Sequence, residues 1–362
     1  MRVLTGLDLP WGSPGGSVEL LRDLYLDPDG PLGASDVFML APDGGPVPTP
    51  DPTPTLLDVP GKQLDGRGFW SYVGRLTEEL TLRFAPGDHD VLHLQHLAFG
   101  ATPALLRAFP KHPGIALVHG TDLLFAAEHP TQADVLREAT TAARAVVVPT
   151  AAMADQLRLL TPVESGRVVH IPWGVPDRLL HRPPVRPVRD DGDLRVLYAG
   201  RLTAEKGASQ LVSALAGTPG LTLSMAAPAA EFRRLAEVVD LSTTRYLGWL
   251  SRPALWAAFA EHDLLVIPSA KLEAFGLTAI EAQACGLPVA YQPVPGLIDA
   301  LGDSALPLDV LADPHRARAT LTGLASDRSA LEDLRAAGRS NAARYPLSET
   351  ARGLASLSAR LA

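Results

Sequence analysis

Short apolar runs alternate with longer amphipathic stretches along most of the chain. Arg2 to Thr5 reads as a first strand, followed by a Gly/Pro loop and a helix from about Ser17. Further strands are expected at Asp36 to Leu40, Val91 to Leu94, Ile115 to Val118, Ala145 to Val148 and Val168 to Ile171. Each run is short, apolar and bounded by turn residues, as strands buried on both faces of a parallel sheet are. Helical stretches such as Asp134 to Arg144 and Ala151 to Leu160 lie between them. The pattern breaks at His181 to Asp193, where proline and charge are concentrated as in a linker. It restarts with a strand at Arg195 to Ala199, a loop, a helix from Gly207, and strands at Thr222 to Met225, Leu264 to Ile267 and Val289 to Tyr291. Strand and helix alternating twice over predict an α/β protein of two Rossmann-like, doubly wound domains, 1–180 and 194–346, joined by 181–193. A ligand cleft between the two domains is the expected place for chemistry. The last stretch, 347–362, is helical in pattern and is expected to pack back on the first domain.

Composition narrows the function. The chain has 362 residues, 46% of them hydrophobic, which is enough for two sizeable cores. The formal net charge of -8 argues against a nucleic-acid partner, which would need a basic face, but leaves room for a local basic pocket. With Cys285 as the single cysteine, no intramolecular disulfide can form, and a reducing, cytoplasmic setting is expected. The first residues lack the charged-then-apolar layout of a signal peptide, and no apolar stretch reaches the ~18 residues of a membrane span.

Two segments of the second half carry most of the chemistry. Gly200-Arg201-Leu202-Thr203-Ala204-Glu205-Lys206-Gly207 follows a strand and opens a helix, so Arg201 and Lys206 face the carboxyl end of the sheet, where ligands bind in such folds. A forked guanidinium and a point ammonium suit a diphosphate, and an ordinary solvated loop is the competing reading. In Glu273-Ala274-Phe275-Gly276-Leu277-Thr278-Ala279-Ile280-Glu281, two glutamates are separated by seven residues. Glu273 falls in the loop after a strand and Glu281 inside the next helix. Gly276 permits close backbone approach, and the helix start around Gly276 to Thr278 offers free N–H groups to phosphate. Ala279, Ile280, Ala282 and Ala284 make this helix apolar nearly all round, so a carboxylate at Glu281 needs a partner, for which a pair of ribose hydroxyls is suitable.

The first half contributes less specific signals. His119, in Leu117-Val118-His119-Gly120-Thr121-Asp122, stands at a strand end and is expected to face the cleft. Asp122 either orients His119 or caps the following helix. Gly15 and Gly16 lie in a glycine loop between the first strand and helix, without GxGxxG spacing. Ser17 either caps that helix or meets phosphate. The His93-x-x-His96 pair is too small a set for zinc, which takes three or four ligands, and strand alternation puts His93 and Gln95 on one face with His96 on the other. Trp11, His93, Gln95, His96 and Asp122 are therefore candidates for the acceptor side. Phe69, Trp70 and Tyr72 read as helix core in preference to a sugar-binding face.

The segments GRLTAEKG and PSAKLEAFGLTAIEAQACGLPVA resemble the donor site of retaining glycosyltransferases of family four, which have the GT-B fold. The resemblance extends through Val147-Val148-Pro149-Thr150, His170-Ile171-Pro172-Trp173-Gly174-Val175, Leu247-Gly248-Trp249-Leu250 and Pro295-Gly296, in the order the family has them. It implies that Arg201 and Lys206 hold the donor diphosphate, that Glu281 binds the ribose and that Glu273 meets the donor sugar. It further implies that Ala274, Phe275, Gly276, Leu277 and Thr278 present main-chain groups to sugar and phosphate. Gly248 and Trp249 would flank the base, Gly15 and Gly16 would lie under the phosphates, and His119 would stand near the donor sugar, so that His119, Arg201, Lys206 and Glu273 form the catalytic set.

The chemistry implied is front-face transfer with retention, the leaving diphosphate taking the acceptor proton while Arg201 and Lys206 offset its charge. No cofactor or metal is expected beyond the nucleotide-sugar co-substrate, a UDP-sugar on family frequency. A small soluble acceptor is expected, such as a sugar or an aminocyclitol of secondary metabolism. Two other classes fit the same fold: a GT-B enzyme of different chemistry (a phosphorylase, an epimerase or a pseudo-glycosidic coupling enzyme) and a non-catalytic sugar-nucleotide binder. A plain NAD-dependent Rossmann enzyme is disfavoured, because neither domain's first strand is followed by GxGxxG.

Overall fold

A computed structural model describes residues 1–42, 53–187 and 192–362. Residues 188–191 of the expected linker lie outside them. The chain divides into two compact units, Met1–Trp173 with Leu347–Ala362, and Gly174–Pro346. Both are of one architectural type, a parallel sheet covered by helices.

The first unit holds a seven-stranded sheet of β1 (Val3–Pro10), β2 (Asp36–Leu40), β3 (Thr55–Leu57), β4 (Val91–Gln95), β5 (Gly114–Leu117), β6 (Ala145–Val148) and β7 (Val168–His170), in the order β3-β2-β1-β4-β5-β6-β7. The second holds six strands, β8 (Leu194–Ala199), β9 (Leu221–Ala226), β10 (Thr244–Gly248), β11 (Leu264–Ile267), β12 (Val289–Tyr291) and β13 (Leu306–Pro307), in the order β10-β9-β8-β11-β12-β13. The pairings are parallel throughout. In each sheet the strand order reverses beside the first strand, between β1 and β4 and between β8 and β11. Such a reversal opens a crevice at the carboxyl ends of the two strands, because their connections leave in opposite directions.

The apolar runs are continuous because helices cover both faces. Every residue of β4, β5 and β6 is buried. In the second unit Val196, Leu211, Met225, Leu264, Val266 and Leu321 are among the residues that close the core. The strands absent from the sequence reading, β3, β10 and β13, all lie at sheet edges. An edge strand need not be apolar on both faces, and β10 is half-exposed along its length. The final helix, Leu347–Leu361, belongs to the first unit, where the Thr350 hydroxyl donates to Pro172 O at 2.8 Å.

Candidate functional site

In the second unit, three loops at the carboxyl ends of β8, β11 and β12 are laced together by main chain. Ala270 N donates to Glu205 O at 2.7 Å, and Glu273 N to Pro295 O at 3.3 Å. Two glycines make this possible. Gly207 has φ 66° and a Cβ on it would strike Pro268 O; Gly296 has φ 85° and a Cβ would strike Glu273 O. Neither position tolerates a side chain, both for lack of space and because positive φ disfavours L-residues.

This lacing sets the motif residues against one another. Lys206 Nζ donates to Glu273 Oε1, and the Ser269 hydroxyl donates to the same oxygen at 2.7 Å. Arg201 Nε donates to Glu231 Oε1 at 3.2 Å, while Glu231 Oε2 accepts from Leu202 N at 2.6 Å. Arg201 and Lys206 therefore each hold a carboxylate. Both remain part-exposed, at 48% and 33% of the side chain, so the charges can be reached by a ligand.

Glu281 is placed differently. It lies in the helix Leu277–Ala284, which follows Gly276 without a side-chain cap, and its side chain is 7% exposed. Its carboxylate does have partners, but they are protein groups. Arg252 donates from Nε at 3.0 Å and Nη2 at 2.5 Å to Oε1, and Trp256 Nε1 donates to Oε2 at 2.8 Å. Arg252 and Trp256 stand one turn apart in the helix Arg252–Glu261 and so reach the same group. Burial and the Glu281 carboxylate push the nearby Cys285 thiol up to about 12, which leaves it inert as a nucleophile. Ala274 and Phe275 are buried, and Phe275 packs edge-on against Tyr345 with centroids 5.0 Å apart. Leu277 and Thr278 form the first turn of the helix that carries Glu281. Gly248 ends β10, and Trp249 beyond it is 47% exposed, free to cover a flat ligand.

In the first unit the expected residues gather around the β1/β4 reversal. His119 follows β5 and is half-buried. Its Nε2 lies 2.6 Å from Gln95 Oε1, and its ring stacks on Trp173 at 5.8 Å and meets His96 edge-on at 5.1 Å. Burial, with His96 beside it, holds the imidazole well below the usual histidine range, so it is neutral at pH 7. Asp122 does not touch that ring. Its carboxylate accepts from His119 N at 3.3 Å, Leu97 N at 3.1 Å and Leu123 N at 3.1 Å, tying the loops after β4 and β5 together. Desolvation still raises it, to about 6.

His93 and Gln95 share a face, and both turn to Tyr25. His93 is fully buried, with Nδ1 2.7 Å from Tyr25 Oη and Nε2 2.7 Å from Ser358 Oγ. Both its nitrogens are spent inside the protein and none is left for an acceptor. His96 lies just past the strand with φ 52°, a backbone conformation that a non-glycine residue adopts at a cost, and it packs on Phe99 at 5.5 Å. Trp11 is buried after β1, and Gly15 and Gly16 begin the helix Gly16–Tyr25. Phe69 and Tyr72 are core residues, whereas Trp70 is 39% exposed beneath the Arg107 guanidinium.

Several participants escaped the sequence reading. Arg252, Trp256, Glu231 and Tyr25 pair with site residues 25 to 70 positions away, beyond any local pattern. Asp8 and Lys62 are a further pair: Asp8 Oδ2 accepts from Gly100 N at 3.1 Å and meets Lys62 Nζ at 3.2 Å, at the end of β1. A signal existed for Lys62, since lysine is rare among the 32 basic residues of this arginine-rich chain and Lys206 is another of the few.

Residues 184–340 match the family described as glycosyl transferases group 1, and residues 34–179 match glycosyltransferase family 4. The D-inositol 3-phosphate glycosyltransferase 1 of Catenulispora acidiphila is 30% identical over 325 residues, covering 80% of this chain and 76% of that protein. The 2-deoxystreptamine N-acetyl-D-glucosaminyltransferase of Streptomyces fradiae is 31% identical over 219 residues, 55% of this chain and 50% of the relative. Among solved structures, sucrose-phosphate synthase from Thermosynechococcus elongatus superposes with a TM-score of 0.85 at 19% identity, over 100% of this chain and 99% of that one. HepE of Anabaena, in complex with UDP-glucose, superposes with a TM-score of 0.76 at 15% identity over 100% of both chains.

Proposed function

The chain belongs to the group 1, family 4 glycosyltransferases of GT-B fold, and from that premise we propose that it transfers a sugar from a UDP-sugar to a small polar acceptor, an aminocyclitol or a sugar, with retention at the anomeric carbon. The observation that carries the reading is the laced loop cluster in which Arg201, Lys206 and Glu273 stand together at the β8/β11 reversal, one helical segment away from Glu281. Two cations at the mouth of a parallel sheet suit a diphosphate, and a carboxylate beside them suits the hydroxyls of a sugar.

In the reaction, the bond from the anomeric carbon to the diphosphate oxygen breaks and a bond to an acceptor hydroxyl oxygen forms on the same face. The acceptor proton passes to the departing phosphate oxygen. Arg201 and Lys206 stabilise the charge that develops there, which lowers the barrier because the charges are fixed in advance. Both cations are part-exposed where Glu231 and Glu273 hold them, so a phosphate can reach them in place, with Glu273 at hand for the sugar hydroxyls. The aminocyclitol preference draws on the relative that acts on 2-deoxystreptamine, and the uridine preference on structural neighbours solved with UDP.

A thermal-shift titration with UDP, GDP and dTDP tests the donor class, because a ligand that binds the native state raises its melting temperature by mass action. UDP is expected to stabilise the wild type and to lose most of that effect in Lys206→Ala. Equal shifts with all three nucleotides would sink the uridine preference, and no shift with any would sink the donor site.

A further inference from the structure

At the amino end of the second sheet, opposite the end that carries Arg201 and Lys206, β9 departs from the pattern of a strand that is apolar on both faces. Leu223 and Met225 enter the core, with Leu221 packed against it. Thr222 and Ser224 alternate with them and so belong to the other face. Register sets two arginines beside them: Arg195 of β8 pairs with Thr222, and Arg245 of β10 pairs with Ser224. Paired residues of adjacent parallel strands share a face, so the two arginines flank the two hydroxyls, one from each neighbouring strand.

These side chains line a cavity of about 230 Å³, closed on another side by Glu261 and His262 at the end of the helix Arg252–Glu261. Its polar groups are open. Ser224 is only 5% exposed, yet among the described residues its hydroxyl has no hydrogen-bond partner, and neither has the Thr222 hydroxyl or the Arg245 guanidinium. Asp263 takes Nε and Nη2 of Arg195 at 3.3 and 3.2 Å, which leaves Nη1. His262 Nδ1 lies 2.7 Å from Ala258 O and carries the hydrogen, because a carbonyl only accepts. Burial holds that ring below the usual histidine range, so Nε2 presents a lone pair at pH 7. Cations crowd this end of the sheet: burial, and then the guanidiniums of Arg335, Arg195 and Arg339 against the pull of Asp263, push Arg186 down to about 10.

We propose that this cavity binds a small phosphate monoester of a polyol, at a site separate from the donor site. Arg245 and Nη1 of Arg195 hold the phosphate, and the Thr222 and Ser224 hydroxyls donate to its oxygens. Glu261 and His262 Nε2 accept from the polyol hydroxyls, and the Glu261 carboxylate keeps the anionic group at the arginine end. At roughly 30 Å³ per water the cavity has room for about eight waters, which suits a sugar-sized molecule and is too little for a nucleotide. The site does not depend on the transfer reaction proposed above.

Calorimetry on the full chain with glucose 6-phosphate, glucose and inorganic phosphate tests the site. Glucose 6-phosphate is expected to bind one to one and more tightly than either of the other two. Arg245→Ser removes an exposed side chain from an edge strand, should leave the fold intact, and should weaken that binding ten- to a hundredfold, the worth of a charge-assisted contact. Ser224→Ala should weaken it about fivefold, the loss of one neutral hydrogen bond. Lys206→Met, at the other end of the sheet, should leave it unchanged. Binding lost in Lys206→Met and kept in Arg245→Ser would assign the ligand to the donor site and overturn the proposal. So would a wild type that binds no glucose 6-phosphate at millimolar concentration. Inorganic phosphate bound as tightly as glucose 6-phosphate would overturn the assignment of a polyol ester.

Discussion

His119 in the first unit and Glu281 in the second are both held by side chains distant in sequence, yet by partners of opposite kind. His119 is neutral and meets an amide, with a phenol, a second neutral imidazole and a hydroxyl behind it. Glu281 is met by a guanidinium and an indole, as a charge buried at 7% exposure. The difference decides what each can lose. A neutral chain gives up about 1 kcal/mol per hydrogen bond, whereas a buried charge deprived of its partner costs several times that.

Glu281→Ala is the most severe way to break the comparison. It removes the buried carboxylate that accepts from Arg252 Nε and Nη2 and from Trp256 Nε1, and should cost about 3 to 5 kcal/mol of unfolding free energy in urea titrations. The paired change Glu281→Leu with Arg252→Met should recover much of that, because a well-packed apolar pair replaces a buried ion pair at little cost. A loss under 1 kcal/mol in the single variant would mean that water already reaches the pair.

Asp122 is a buried carboxylate of the first unit held by backbone N–H groups, and pH exposes it. Its folded pKa is raised to about 6, first by burial, against an ordinary value of 3.8. The folded state therefore binds the proton more tightly than the unfolded one. That contribution is fully present below about pH 4 and lost as pH rises through about 6, amounting to at most about 3 kcal/mol. Unfolding of wild type and Asp122→Asn, compared at pH 4 and pH 7, should show the difference move in favour of wild type at the lower pH. A pH-independent difference would place Asp122 as an ordinary ionised carboxylate.

Lys206→Met separates affinity from stability. Its charge is part-exposed, so loss of the pair with Glu273 should change stability by less than about 1 kcal/mol. A charge-assisted contact to phosphate is worth more, about 1.5 to 3 kcal/mol, and the Kd for UDP measured by calorimetry should rise by ten- to a hundredfold. An unchanged Kd would remove Lys206 from the diphosphate site.

The contrast also explains what the sequence could tell. Continuous apolar runs betray strands with helices on both faces, so β2, β6, β11 and β12 were legible to the residue. β10, exposed at an edge, was not. The charged motif around Arg201, Lys206, Glu273 and Glu281 was legible because adjacent loops of one sheet draw it from two short segments. The partner of Glu281 was not, since Arg252 sits 29 positions upstream in a helix that looks ordinary by itself. His93 was misleading for the same reason: it was expected on the acceptor side, but Tyr25 and Ser358, 68 and 265 positions away, claim its ring.

The mildest test returns to Glu281. Trp256→Phe keeps an aromatic ring near the Arg178 and Arg252 guanidiniums, which lie 5.4 and 5.5 Å from the indole, and removes only the N–H that reaches Oε2. The carboxylate keeps both bonds from Arg252, so the cost should be one hydrogen bond, about 1 kcal/mol in urea unfolding, and not that of a stranded charge. If the loss instead matched that of Glu281→Ala, the indole would be the group that secures the carboxylate, and the contrast between the amide-held His119 and the guanidinium-held Glu281 would no longer hold.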